Sequence, residues 1–134
     1  MLKPTKILVP TDFSEYSDRA LRQALDIAKH YGAKVYVLHV AHEESYFLSE
    51  FSDVAAKKAM QQQLEKFPQA KEVEVIADIS RGVHYEAILK EAEQKAIDLI
   101  VIASLGQSGI AKYLIGSVAR NVLKGANCPV LLTK

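Results

Sequence analysis

The chain has 134 residues, of which 49% are apolar and 25% charged, with a formal net charge of +1. This near-neutral balance, with both signs interspersed, excludes the polybasic stripe that neutralises a row of phosphates, so we expect no nucleic-acid partner. The single cysteine, Cys128, permits no internal disulfide, and no apolar run reaches the length of a signal peptide or membrane span. We therefore expect a cytoplasmic protein with no membrane partner. The length predicts one domain over residues 1–134.

The first predicted elements are a buried strand and an amphipathic helix. Ile7, Leu8 and Val9 form an apolar run that ends at Pro10, which is typical of a strand covered on both faces. Ser14 is a candidate helix cap, because its hydroxyl can accept from the free N–H groups of the first turn. Apolar side chains then recur every three or four residues until Gly32, which predicts the end of the helix. The apolar positions are Tyr16, Ala20, Ala24, Ile27, Ala28 and Tyr31.

The same pattern repeats in the middle of the chain. Residues 34–40 predict a second strand, and a polar stretch over residues 41–52 leads to a second helix. Residues 73–79 alternate like a third strand, which Arg81 and Gly82 end. The expected inner positions of the second helix are Ala55, Ala59, Met60 and Leu64, and those of a third helix are Tyr85, Ile88, Leu89, Ala92 and Ala96.

The last third of the chain predicts two more strands and one helix. Residues 99–103 (LIVIA) form the most hydrophobic strand and are expected to be central. Residues 117–124 predict a short helix ended by Gly125, and residues 130–132 a last strand. Five strands alternating with four helices indicate an α/β fold with a doubly wound parallel sheet and helices on both faces.

Two loops mark the candidate site, because ligands of such sheets bind beyond the carboxyl ends of the strands. One loop covers residues 10–14 and the other residues 103–117, which include the segment GQSGIAKYLIGS. Gly116 and Ser117 begin a helix, where free N–H groups and a partial positive charge attract a phosphate. Gly106 and Gly109 allow the chain to curl towards the same anion. The alternative is that the glycines only shape a turn and Ser117 only caps the helix.

Asp12 follows the first strand and has two interpretations. Its carboxylate is placed to accept hydrogen bonds from ribose hydroxyls, by analogy with acidic residues in other nucleotide-binding folds. It is equally a candidate cap, because it precedes Ser14 by two residues.

Three segments together resemble the universal stress protein family over nearly the whole chain. They are ILVPTDFSE, GAKVYVLHV and AIDLIVIASLGQSGIAKYLIGSVARNVLKGANCPVLL. The nucleotide-binding branch of that family carries Gly, two residues, Gly, nine residues, Gly and then Ser or Thr. Here Ala103, Gly106, Gly116 and Ser117 keep that spacing. Ala103 replaces the first glycine of the motif, and Leu105 stands where many relatives have histidine.

The resemblance implies a Rossmann-like sheet of order 3-2-1-4-5 that binds ATP or another adenine nucleotide, with Mg or Mn as the accompanying ion. Asp12 would face the ribose and the backbone of Val40 the adenine, with Gly106, Gly116 and Ser117 around the phosphates. The remaining candidate binding residues are Pro10, Thr11, Ala103, Gly109 and Val118. The resemblance also implies a homodimer through the last strand, at Val130, Leu131 and Leu132.

No catalytic residue is predicted. The sequence contains no GxxxxGK motif and no GxGxxG, and its four histidines are scattered, so we expect at most slow ATP hydrolysis. His39 and His42 lack the Cys or carboxylate pattern of a metal site, and His39 is expected to be a strand residue satisfied by a neighbour. Cys128 is expected to fill core space. The alternative function is a homodimeric interaction protein of the same fold that binds no nucleotide.

Overall fold

Five parallel strands and four α-helices alternate along the described part of the chain. The structure is a computed structural model that describes residues 3–41, 46–105 and 115–134. Side chains are described for all of these residues except 46–52. The strands are β1 Lys6–Pro10, β2 Lys34–Ala41, β3 Val75–Arg81, β4 Leu99–Ala103 and β5 Val130–Thr133. The helices are α1 Glu15–Tyr31, α2 Tyr46–Glu65, α3 His84–Gln94 and α4 Ser117–Gly125, and a short 3-10 helix spans Pro68–Glu72.

The sheet has the strand order β3-β2-β1-β4-β5, and every neighbouring pair is parallel. This confirms the predicted doubly wound α/β fold. The strand LIVIA, which is β4, lies inside the sheet between β1 and β5, but the central strand is β1. The prediction that LIVIA is central is therefore correct only in that both its edges are paired.

Alternate residues of the inner strands fill two separate apolar cores, because successive side chains of a strand point to opposite faces. Ile7 and Val9 of β1 belong to the core under α1 and α2, together with Leu21, Leu25 and Met60. Leu8 belongs to the core on the other face, which α3 and α4 cover with side chains that include Ile88 and Val122. Burial on both faces explains why these strands are continuous apolar runs.

Helix α1 begins and ends at the predicted residues. Ser14 Oγ accepts from the Ser17 N–H at 3.2 Å, and Gly32 has the left-handed φ of 72° that ends the helix. Its buried face differs from the prediction. Leu21 and Leu25, which are not among the recurring apolar positions, are fully buried, whereas Tyr31, the last of those positions, is 46% exposed.

Three element boundaries correct the sequence analysis. Helix α2 begins at Tyr46, inside the stretch predicted to be a polar loop. Strand β3 begins at Val75, because residues 68–72 form the 3-10 helix that the sequence analysis missed. Helix α3 ends at Gln94, and the predicted inner residue Ala96 is exposed with a φ of 53°. No helix in the described part of the chain is long and apolar enough to cross a membrane.

The strand order reverses between β1 and β4. Helix α1, which follows β1, and helix α4, which follows β4, pack on opposite faces of the sheet. Their separation creates a crevice at the carboxyl edge. The ladder between these strands pairs Ile7 with Leu99 and Leu8 with Ile100, whereas the ladder between β1 and β2 covers all of residues 6–10. The crevice therefore lies beyond the last paired residues of β1 and β4.

Candidate functional site

A cavity of about 650 Å³ opens at this carboxyl edge. Its walls come from the ends of β1, β2 and β4, the starts of α3 and α4, and one side of α2, and its volume is typical of a small-molecule site. All predicted site residues that the structure describes line it, namely Pro10, Thr11, Asp12, Val40, Ala103, Gly116, Ser117 and Val118. The other two predicted residues, Gly106 and Gly109, lie outside the described residues.

The turn after β1 is held by side chains that bond to its own backbone. Asp12 Oδ1 accepts from the Ser14 N–H at 3.0 Å, and Thr11 Oγ1 accepts from the Phe13 N–H at 3.1 Å. Phe13 has a φ of 65°, which is uncommon for a bulky residue. Asp12 thus shapes the turn through one oxygen while its side chain lines the cavity, so its two interpretations are compatible.

Three ring-bearing side chains line the cavity without having been predicted there: Phe13, His39 and His84. The His39 and Phe13 rings stack with centroids 4.5 Å apart and planes inclined by 30°. His39 Nδ1 lies 3.0 Å from the Thr11 carbonyl oxygen, which bears out the expectation that a neighbour satisfies this histidine. Because parallel strands end at one edge, the position of His39 beside Val40 at the end of β2 was the available signal.

Gly116 lies where the chain beyond β4 meets α4. Its N–H donates to the Ser104 carbonyl at 2.7 Å, and a Cβ built on it would lie 3.1 Å from that same oxygen. The close approach of Ser104 therefore explains this glycine without a ligand, as the turn interpretation expected. The N–H groups that begin α4 remain the candidate anion site, because first-turn amides have no partner inside a helix.

Ala103 and Leu105, the two departures from the family motif, both line the cavity. Ala103 is half-buried and also packs against the core under α1. The backbone continues in register, since Ala103 lies opposite Thr133 and the Ser104 N–H donates to the Thr133 carbonyl at 2.8 Å. The methyl group of Ala103 is thus accommodated by the fold itself.

Full charges are scarce in the described lining. Asp12 is the one Asp or Glu among the described lining residues, which include no Lys or Arg. Arg120 is exposed, and its guanidinium donates to the Ile115 carbonyl at 3.3 Å. Lys112 and His42 lie outside the described residues. An anion at the start of α4 would therefore meet backbone amides and the helix dipole before any described cationic side chain.

Cys128 lies against an apolar core, and no group of metal-binding side chains occurs among the described residues. Cys128 packs against the core under α3 and α4, and burial raises the pKa of its thiol, as expected for a residue that fills space. No three described His, Cys, Asp or Glu side chains are grouped so that they could hold a metal ion.

Comparison with known proteins identifies the family. The model of the universal stress protein family matches residues 4–134. A universal stress protein of Methanocaldococcus jannaschii is 36% identical, with 96% of this chain and 81% of that protein aligned.

Solved structures have the same architecture. Universal stress protein UspA from Lactobacillus plantarum superposes with a TM-score of 0.87 at 29% identity, and each chain is covered in full. A universal stress protein from Archaeoglobus fulgidus, solved in complex with dAMP, superposes with a TM-score of 0.78 at 26% identity, covering 99% of this chain and 100% of its own. The chain belongs to the universal stress protein family.

Proposed function

We propose that this protein binds ATP or another adenine nucleotide in the cavity at the carboxyl edge and acts as a regulatory module that responds to nucleotide occupancy. The observation that carries the proposal is the cavity of about 650 Å³ at the reversal of strand order, lined by residues from both predicted loops. The A. fulgidus relative in complex with dAMP supports the ligand class, because its fold superposes over almost the whole chain.

The nucleoside part of the ligand suits the β1 and β2 side of the cavity. Leu38, Val40 and Ile88 supply buried apolar surface for a flat base, and the backbone at Val40 supplies polar groups for its edge. The Asp12 carboxylate is assigned to the ribose hydroxyls, from which it would accept charge-assisted hydrogen bonds. This end therefore selects an adenosine-like group.

The phosphate part suits the start of α4. The exposed residue Ser117 and half-buried Val118 begin that helix, and both line the cavity. Mg or Mn, where present, would be held mainly by the phosphates and water, because the described residues contain no group of three or more His, Cys, Asp or Glu side chains that could hold the ion. The sequence lacks the motifs of efficient phosphoryl transfer, so the assigned activity is binding with little or no hydrolysis.

The direct test is calorimetric titration of the purified protein with ATP, ADP and AMP, with and without magnesium. We expect saturable binding with a dissociation constant on the order of micromolar. Denaturing the purified protein and separating released nucleotides by chromatography detects ligand already bound. Absence of binding up to about millimolar nucleotide would overturn the proposal and favour the alternative of a nucleotide-free interaction protein.

A further inference from the structure

A buried polar network joins α2 to the turn that carries Asp12. The centre of the network is Gln63, which is 2% exposed and contacts Thr11, a residue of the cavity lining. Its Oε1 lies 2.8 Å from Thr11 Oγ1, and its Nε2 lies 2.8 Å from Asp18 Oδ1. Lys66, one turn further along the chain, donates to the other oxygen of Asp18 at 3.0 Å.

Chemistry fixes the direction of each bond in this network. The Asp18 carboxylate only accepts, so the Gln63 amide must turn its NH₂ group towards Asp18. Its carbonyl oxygen then faces Thr11, and the single hydroxyl proton of Thr11 is donated to it. Ser17 Oγ, 3.0 Å from Thr11 Oγ1, directs its own proton to the Ser14 carbonyl at 2.9 Å.

The Thr11 hydroxyl also bonds to the backbone of the turn. With its proton committed to Gln63, its lone pairs are free to accept from the Phe13 N–H. That bond holds Phe13 at its positive φ, and the next residue, Ser14, bonds back to Asp12. A residue 52 positions away in the sequence is thereby linked through Thr11 to the turn whose carboxylate lines the cavity.

We propose that Gln63 is a positioning residue for the nucleotide site, because it orients the Thr11–Ser14 turn so that Asp12 meets the ribose. Gln63 also couples ligand binding to the packing of α2. The inference rests on the proposed function. Helix α2 also lines the cavity through three alanines, Ala55, Ala56 and Ala59, so one helix carries both the wall of the cavity and the amide that orients the turn.

The test compares Gln63→Met with Gln62→Met. Methionine matches glutamine in length and helix propensity but has no amide, and Gln62 is exposed on the same helix. For Gln63→Met we expect ATP and AMP affinity to fall by about five- to tenfold, corresponding to the loss of one or two hydrogen bonds, whereas the control stays within about twofold of the wild type. Preference for AMP over dAMP should fall with it, which general loosening of the fold would not produce.

A double-mutant cycle with Asp12→Asn completes the experiment. If Gln63 acts through the turn, the double variant loses less affinity than the sum of the single losses. Unchanged affinity in a folded Gln63→Met variant, or strictly additive losses, would overturn the inference while leaving the proposed function intact.

Amide hydrogen exchange tests the coupling without any nucleotide. The Phe13 and Ser14 amides should exchange faster in Gln63→Met than in Gln62→Met, because both are held by the turn. Equal exchange in the two variants contradicts the coupling. A wild-type chain that binds no adenine nucleotide overturns the proposed function and the ligand part of this inference, and the exchange result then decides the coupling separately.

Discussion

At the scale of single residues, Ser117 offers the cleanest test of where the phosphates bind. The side chain is exposed at the first position of α4, and Gly116 before it makes no side-chain cap. An aspartate at this position suits the helix dipole, so the variant should fold, but its charge repels a bound phosphate. Gly116 is a poorer target, because any Cβ there crowds the Ser104 carbonyl.

We expect Ser117→Asp to weaken ATP binding by more than about tenfold. The control is Ser117→Asn, because asparagine has the shape of aspartate without its charge, and its ATP affinity should stay within about threefold of the wild type. Adenosine affinity should be the same in all three proteins, since it has no phosphate. Calorimetric titration with ATP and adenosine measures both. Equal ATP losses in the two variants would place the phosphates elsewhere.

Ala103 tests whether the departure from the family motif matters. Its methyl group packs partly against the core under α1, so removing it should leave ATP affinity within about threefold and lower the free energy of unfolding by about 0.5–1 kcal/mol, the cost of glycine in a strand. Titration and urea unfolding of Ala103→Gly measure the two quantities. Markedly tighter ATP binding would show instead that the methyl group crowds the ligand.

The cavity residues at strand ends were predictable, and the buried polar residues were not. Asp12 and Val40 could be placed because the ends of parallel strands meet at one edge, whatever the rest of the chain does. Gln63 and Glu91 are polar letters on helices, which a hydrophobicity pattern assigns to the solvent face. Only the packed structure shows that both are more than nine-tenths buried and what they contact.

At the scale of elements, Glu91 makes the contact between α3 and β3 sensitive to pH. Glu91 is 8% exposed, and in the described structure its buried Oε2 has no hydrogen-bond partner. Burial raises the pKa of Glu91, and the neighbouring carboxylate of Asp78 on β3 raises it further, against a smaller opposing effect of Lys95. The folded protein therefore favours the protonated carboxyl more than the unfolded chain does.

The sign of the effect on stability follows from this raised pKa. The contribution of Glu91 to the free energy of unfolding is fully present below about pH 4.3, the pKa of a glutamate in the unfolded chain. This contribution is lost as the pH rises through the higher pKa of Glu91 in the folded protein. Glu91→Gln should therefore lose less stability than the wild type between about pH 4.5 and about pH 8. Urea unfolding across this range is the measurement, with Glu93→Gln, exposed on the same helix, as the control. Parallel curves for wild type and Glu91→Gln would contradict the assignment.

Element boundaries were predicted well where a chemical signal marks them. Ser14 and Gly32 delimit α1, because a hydroxyl cap and a left-handed glycine are local requirements. The start of α2 was missed, because its apolar residues are spread around the helix and do not recur regularly every three or four residues. The 3-10 helix over residues 68–72 was missed too. The third strand was therefore predicted to begin at residue 73, two residues before the observed start of β3 at Val75.

At the scale of the whole molecule, alternation of strands and helices was sufficient to predict the architecture. Parallel strands need crossover helices, and these cover both faces of the sheet, so the two-faced burial of Ile7, Leu8 and Val9 follows from the fold class. The same architecture leaves two edge strands, β3 and β5, and the sequence of each determines how it is protected. Strand β3 carries Asp78 and Arg81, and Arg81 pairs with Asp53 of α2.

Strand β5 has no charged residue between Val130 and Thr133, and Leu131 is 37% exposed. An apolar edge of this kind is a template for pairing with another chain, so we propose that two copies of the protein pair through β5. The wild type should sediment at about twice its chain mass of 14.8 kDa, and Leu131→Lys should sediment as a monomer, because a lysine on a strand edge opposes pairing. The matched control is Ile76→Lys on β3, since Ile76 is also 37% exposed but lies on the edge with charged residues. A monomeric wild type would exclude the dimer, and dissociation by Ile76→Lys alone would place the interface on the opposite edge.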